Sequence, residues 1–206
     1  MKQVRLVLVS FPENQAHMKI AVVVGTIRRG RQSIKVGNYL IEELNKREGV
    51  EAALVDLEEL DVPMLWERRH WMEEDEIPAG LTRYKEQIDW ADGVVLVAPE
   101  YNGGYPAVLK NVLDALYSEY KWKPFGLCCV SAGYGGYTVI SQLREVINRF
   151  QGIVVPATFM ARNASKSFDE EGSMISEHYP RSANKMLDDL IWLAEAINRQ
   201  KERTES

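Results

Sequence analysis

Three short stretches concentrate residue types that bind phosphates and flat ligands. The first, GTIRRGRQS at residues 25–33, combines hydroxyls, an amide and three arginines, while PEYNGGYP (99–106) and SAGYGGY (131–137) are rich in glycine and tyrosine. Backbone N–H groups before a helix favour a phosphate, Asn and Gly tolerate positive φ, and Gly lets a ligand approach the backbone. Taken alone, the first stretch is also compatible with a solvated basic turn.

Each stretch follows a short apolar run that is rich in β-branched residues. Such runs occupy residues 19–25, 51–57, 93–99 and 125–131, and a weaker fifth covers 152–159. Several are apolar at consecutive positions, which predicts parallel strands covered on both faces. Amphipathic helical patterns fill the gaps, and Ser33 is the expected N-cap of the first helix. The alternation predicts one doubly wound, three-layer α/β domain.

The predicted sheet brings the three stretches to one place. In open parallel sheets, ligands bind beyond the carboxyl ends of the strands. One phosphate loop and two loops offering flat backbone and aromatic surface suit a planar mononucleotide such as FMN. The chain lacks G-x-G-x-x-G and G-x-x-x-x-G-K-[ST], which counts against a dinucleotide fold and a P-loop NTPase.

Composition limits the partners and the compartment. The formal net charge of −5 argues against nucleic acid as a partner. No stretch is apolar for the roughly 18 residues that a membrane helix needs. The only cysteines, Cys128 and Cys129, are adjacent in a predicted strand and therefore point to opposite faces, so a reducing cytoplasm fits best. The histidines, cysteines and carboxylates show no metal-ligand spacing.

The chain divides into one domain and two short ends. Residues 1–17 are interpreted as a poorly ordered N-terminal extension outside the core, because Met18 opens a natural domain start; an extra edge strand over residues 4–9 is the alternative. Residues 18–200 are expected to form the FMN-binding domain, and residues 201–206 a charged tail. The irregular stretches 61–79 and 161–179 are long enough to suspect a functional role.

The stretch PEYNGGYPAVLKN resembles the P-E-Y-N-x-x-x-P-x-x-L-K-N signature of the NADPH-dependent FMN reductase family. GTIRRGRQ is similar to that family's first loop, commonly G-S-x-R-x-G-R, and the third loop also matches. The resemblance covers roughly residues 18–160. It implies a flavodoxin-like fold with five parallel strands in the order 2-1-3-4-5, bound FMN, and a homodimer or homotetramer. Thr26 stands where serine is common, and Gly104 where many relatives have serine.

The same resemblance assigns cofactor-binding roles position by position. It implies that Thr26, Arg28, Gln32 and Ser33 hold the FMN phosphate. It places Pro99, Glu100, Tyr101, Asn102 and Gly103 along the isoalloxazine ring. It places Ser131, Gly133 and Gly136 on the other side of the cofactor. No side chain is assigned as catalytic, because the flavin N5 carries the chemistry, and no metal is expected.

The implied activity is hydride transfer from NADPH or NADH through FMN to a quinone or similar small-molecule acceptor, by a ping-pong mechanism. The alternative is a flavodoxin-like electron carrier without a pyridine-nucleotide site. Carriers tend to be shorter and strongly acidic, and this chain is neither. The outer side of the predicted helix 106–118 is the expected subunit contact, and the 61–79 segment, with Trp66 and Trp71, is expected to act as a lid or subunit contact.

Overall fold

The computed structural model describes residues 18–133, 135–169 and 173–205 of the 206-residue chain. Five parallel strands form one sheet in the order β2-β1-β3-β4-β5. The strands are β1 (Met18–Val24), β2 (Val50–Asp56), β3 (Gly93–Pro99), β4 (Pro124–Ser131) and β5 (Ile153–Arg162). The helices are α1 (Ser33–Asn45), α2 (Leu57–Leu60), α3 (Ala79–Trp90), α4 (Ala107–Ala115), α5 (Tyr137–Arg149) and α6 (Tyr179–Glu205). The flavodoxin-like fold and its strand order are confirmed.

The apolar runs form strands because both faces of the sheet are covered. Along β1, Ile20 and Val22 pack in the cluster beneath α1 and α6, while Ala21 and Val23 pack in the cluster beneath α3, α4 and α5. This alternation is the period of two that a strand imposes. Each face therefore has its own core, and the sheet is the middle of three layers.

The two cysteines follow the same alternation. Cys128 packs in the α1 and α6 cluster, and Cys129 packs in the cluster on the other face. Both are free thiols, and burial raises the pKa of each. The prediction that they point to opposite faces is confirmed.

The first helix begins differently from the prediction. The N-cap residue is Gln32, whose backbone is already αR, and no side chain caps the helix. Ser33 therefore lies inside the first turn, where it is buried, and its predicted capping role is wrong.

The last strand and the last helix are longer than the sequence suggested. A shift of register between Phe125 and Leu127 lets the second half of β5 pair with β4 as far as Arg162. Helix α6 continues to Glu205 because its charged residues include i,i+4 ion pairs such as Arg199 with Glu195, and neither Gly nor a further Pro interrupts it after its first turn. The predicted tail at 201–205 is thus helical, whereas the predicted extension at 1–17 lies outside the described residues.

Within the described ranges, no helix is both long and apolar enough to cross a bilayer.

Candidate functional site

The loops that follow β1, β3, β4 and β5 line one cleft at the carboxyl edge of the sheet. Its volume is about 560 Å³, within the range typical of small-molecule sites. The first loop runs beside the second because the N–H of Gly25 donates to the carbonyl of Val97, at 2.9 Å. The lining residues are Arg28, Arg29, Gly30, Arg31, Gln32, Ser33, Pro99, Glu100, Tyr101, Val130, Ser131, Ala132, Gly133, Gly135, Ala164 and Ser165.

The first loop (residues 25–33) contains one arginine that is tied to neighbouring carboxylates. The guanidinium of Arg31 donates to both carboxylate oxygens of Asp56, at 2.6 and 2.5 Å, and lies 2.5 Å from the carboxylate of Glu58. It also donates to the carbonyl of Thr26 at 2.6 Å. Burial alone lowers the pKa of Arg31, but the paired carboxylates outweigh it and raise that pKa above its ordinary value. Arg31 therefore fastens this loop to the end of β2.

The other two arginines of the loop remain available to the cleft. Among the described residues, neither Arg28 nor Arg29 forms an ion pair, and both line the cleft. The guanidinium of Arg28 lies 5.5 Å from the centroid of the Tyr101 ring. The backbone N–H of Arg28 donates to the Thr26 hydroxyl at 3.3 Å, and that hydroxyl is 2.8 Å from the hydroxyl of Tyr101. Within the described part of the chain, the loop thus presents two positive charges without a carboxylate partner.

The second loop is a tight turn from Tyr101 to Gly104. The N–H of Tyr101 donates to the carbonyl of Gly104 at 2.8 Å, and the reverse bond is 3.1 Å long. Asn102 has φ 53° and Gly103 has φ 80°, so both central residues are left-handed, as in a type I′ turn. No hydrogen bond found between described residues uses the N–H groups of Asn102 and Gly103. The turn therefore leaves two backbone donors for a ligand.

The third loop is held against the second by a carboxylate. The Glu100 side chain accepts the backbone N–H of Gly136 at 2.8 Å. Gly136 has φ 112°, and a Cβ there would lie 2.5 Å from the sulfur of Cys129, so the position requires glycine. Gln142 on α5 donates to the carbonyl of Gly103 at 3.0 Å. These bonds fix the spacing of the two loops before any ligand binds.

The structure gathers most of the residues assigned by resemblance. Those that line the cleft are Arg28, Gln32, Ser33, Pro99, Glu100, Tyr101, Ser131 and Gly133. Those beside it are Thr26, which is buried under Tyr101; Asn102 and Gly103, which form the turn; and Gly136, which begins α5.

Ala164 and Ser165 also line the cleft and were not predicted. Their side chains are small and carry no motif. The sequence feature that could have indicated them is their position directly after the fifth strand, within the irregular stretch 161–179.

The 61–79 segment lies against α4. Asn111 accepts from the N–H of Leu65 at 2.9 Å and donates to the carbonyl of Pro63 at 2.8 Å. The last residue of the signature motif therefore anchors this segment. Met64 and Trp66 are 74% and 71% exposed beside a groove of about 820 Å³ along α4. Neither residue is among those that line the cleft.

In the part of the chain that the structure describes, no three His, Cys, Asp or Glu side chains form a group that could hold a metal ion.

Residues 18–166 match the family model described as NADPH-dependent FMN reductase. An FMN-dependent NADPH-azoreductase of Staphylococcus aureus is 31% identical over 157 residues, which are 76% of this chain and 83% of the relative. The flavoenzyme NAD(P)H:(acceptor) oxidoreductase FerB of Paracoccus denitrificans superimposes with a TM-score of 0.68 at 24% identity, covering 87% of this chain and 98% of FerB. An oxidoreductase of Corynebacterium diphtheriae gives a TM-score of 0.67 at 16% identity, covering 90% and 99%.

Proposed function

Because the chain belongs to the NADPH-dependent FMN reductase family, we propose that it transfers hydride from NAD(P)H, by way of FMN, to quinones or similar small-molecule acceptors. The family and the relatives make it an FMN-dependent NAD(P)H oxidoreductase. The observation that supports the finer proposal is the cleft that three motif-bearing loops share at the carboxyl edge of the sheet.

The described residues fit FMN. The cleft combines the guanidinium groups of Arg28 and Arg29 at one loop with free backbone donors at another, which suits a phosphate and a flat polar ring edge. A Cβ added at Gly133 would meet no described atom within 4 Å, so the cleft has open space beside that backbone. We propose that Arg28, Gln32 and Ser33 hold the phosphate.

We propose that the ring lies between the second and third loops. Pro99, Glu100 and Tyr101 would line one side, and the N–H groups of Asn102 and Gly103 would face the N5/O4 edge. Ser131, Gly133 and Gly136 would border the other side, with Gly136 acting through its contact with Glu100.

The mechanism assigns binding and electrostatics to the protein. Bound FMN supplies the two-electron chemistry at N5. The backbone donors of the 101–104 turn stabilise negative charge beside them, as an oxyanion hole does, and they are pre-positioned because the turn closes on its own hydrogen bonds. We propose that NAD(P)H and the acceptor occupy the same place beside the bound flavin in turn, which gives ping-pong kinetics.

We propose that the molecule is a homodimer or homotetramer that joins through α4. Two exposed apolar side chains, Met64 and Trp66, border the α4 groove, and exposed apolar surface of this kind is typical of protein contacts. The same contact would bring the 61–79 segment close to a neighbouring FMN site. An active monomer in sedimentation at micromolar concentration would contradict this.

We further propose residues 18–200 as the FMN-binding domain and the cytoplasm as the compartment. The free thiols of Cys128 and Cys129 support a reducing environment.

The remaining alternative is a flavodoxin-like carrier that has no pyridine-nucleotide site. Anaerobic mixing of the FMN-loaded protein with NADPH distinguishes the two. We expect immediate loss of the yellow flavin absorbance, followed by its return when a quinone is added. An absorbance that changes only after a separate reductase is supplied would favour the carrier. Parallel lines in double-reciprocal plots against acceptor concentration would support the ping-pong order.

A further inference from the structure

Tyr101 and Thr26 join the first and second loops of the cleft through their hydroxyls. The Thr26 hydroxyl lies 2.8 Å from the Tyr101 hydroxyl, across 75 residues of sequence. Thr26 is 1% exposed and does not line the cleft, whereas Tyr101 does. The resemblance assigns Thr26 to the phosphate and Tyr101 to the ring, but in the structure only Tyr101 lines the cleft, and the hydroxyl of the buried Thr26 contacts the Tyr101 hydroxyl.

The hydrogen bonds of the pair leave one proton without an acceptor. Two hydroxyls carry two protons and share one hydrogen bond. The Thr26 oxygen already accepts the N–H of Arg28 at 3.3 Å, and neither hydroxyl has a further acceptor among the described residues. A buried donor without a partner is unfavourable, so the buried Thr26 donates to Tyr101. The Tyr101 proton then remains for a group in the cleft.

The surroundings of Tyr101 favour an anionic acceptor. The Arg28 guanidinium lies 5.5 Å from its ring centroid, where a cation interacts with the ring face. Arg29, Gln32 and Ser33 line the same cleft. A phenol that donates to a phosphate oxygen forms a charge-assisted hydrogen bond, which is shorter and stronger than a neutral one.

We propose that the hydroxyl of Tyr101 donates to the FMN phosphate and that Thr26 acts as a positioning residue through Tyr101. This rests on the proposed FMN site and changes the roles of both residues within it. Tyr101 thereby contacts both ends of the cofactor, with its ring beside the isoalloxazine and its hydroxyl at the phosphate. The site would distinguish FMN from riboflavin, which has no phosphate.

The test measures the affinity of the apo-protein for FMN and for riboflavin by flavin fluorescence. We expect Tyr101→Phe to weaken FMN binding about tenfold and to change riboflavin binding less than twofold, as the loss of one charge-assisted hydrogen bond predicts. Thr26→Val should weaken FMN binding about threefold in the wild-type background and have no further effect in Tyr101→Phe. Thr26→Ser restores the hydroxyl and should restore the affinity.

Tyr39→Phe is the matched control. Tyr39 lies on α1, directly after the same loop, and its buried hydroxyl has no hydrogen-bond partner among the described residues. Its removal should leave both affinities unchanged. Retained riboflavin binding in Tyr101→Phe also verifies that the cleft is folded.

Equal losses for FMN and riboflavin, or additive effects of Tyr101→Phe and Thr26→Val, would overturn this proposal while leaving the proposed function intact. Failure of the wild-type chain to bind FMN would overturn both.

Discussion

Replacing Gly136 with alanine tests how tightly the third loop packs behind the cleft. The backbone of Gly136 has φ 112°, and an added Cβ would lie 2.5 Å from the sulfur of Cys129 and 2.8 Å from the terminal methyl of Met160. Backbone strain at such a position costs about 1–3 kcal/mol, and overpacking a core costs about 1–3 kcal/mol. We expect Gly136→Ala to lower the free energy of unfolding by about 4 kcal/mol, the middle of the range that the two costs span together.

Gly133→Ala is the matched control, because a Cβ there meets no described atom within 4 Å. We expect its free energy of unfolding to stay within about 0.5 kcal/mol of wild type, as for surface substitutions. Its methyl group would nevertheless enter the cleft and weaken FMN binding. Urea denaturation of the apo-proteins, followed by circular dichroism, and FMN titration measure the two effects separately.

Two results would refute this reasoning. If the free energy of unfolding of Gly136→Ala lies within about 0.5 kcal/mol of the wild-type value, the close contact with Cys129 is relieved without cost. If Gly133→Ala binds FMN as the wild type does, the ring does not lie beside Gly133.

Three further substitutions test the site and its supports. Arg28→Ala should weaken FMN binding by about 1.5–3 kcal/mol through loss of a charge-assisted bond, and unchanged affinity in titration would remove Arg28 from the site. Arg31→Ala should lower the free energy of unfolding by about 3 kcal/mol, because it leaves a buried carboxylate unpaired; the exposed Arg29→Ala is its control in urea denaturation. Asn111→Ala removes both hydrogen bonds to the 61–79 segment, and faster hydrogen exchange confined to that segment is expected.

The strands and the position of the cleft were predictable because both follow from local patterns. The bounds of β3 match the prediction at both ends, since an uninterrupted apolar run is flanked by polar residues. Because parallel strands end at one edge, the loops after 25, 99 and 131 had to meet. The positive φ of Gly103 was also expected from the Asn-Gly-Gly sequence.

The pairings across the fold were not predictable from the sequence. Arg31 was grouped with its neighbouring arginines in a phosphate-binding loop, and only the adjacency of β1 and β2 brings it to Asp56. Asn111 belongs to a recognisable motif, but its contact with the 61–79 segment spans 48 residues. Neither partner can be read from spacing along the chain, because the contacts depend on which loops fold back over which helix.

The ion pairs of Arg31 should also affect how fast FMN binds. Asp56 and Glu58 offset two of the three guanidinium charges around the first loop, and the whole chain carries a formal charge of −5. Long-range attraction of a phosphate dianion should therefore be weak, since steering depends on the summed field and not on the nearest arginine. The association rate constant for FMN should change by less than about threefold between low and high ionic strength, where a strongly steered ligand would slow much more. The selectivity of this cleft for FMN would then depend on a small dissociation rate constant.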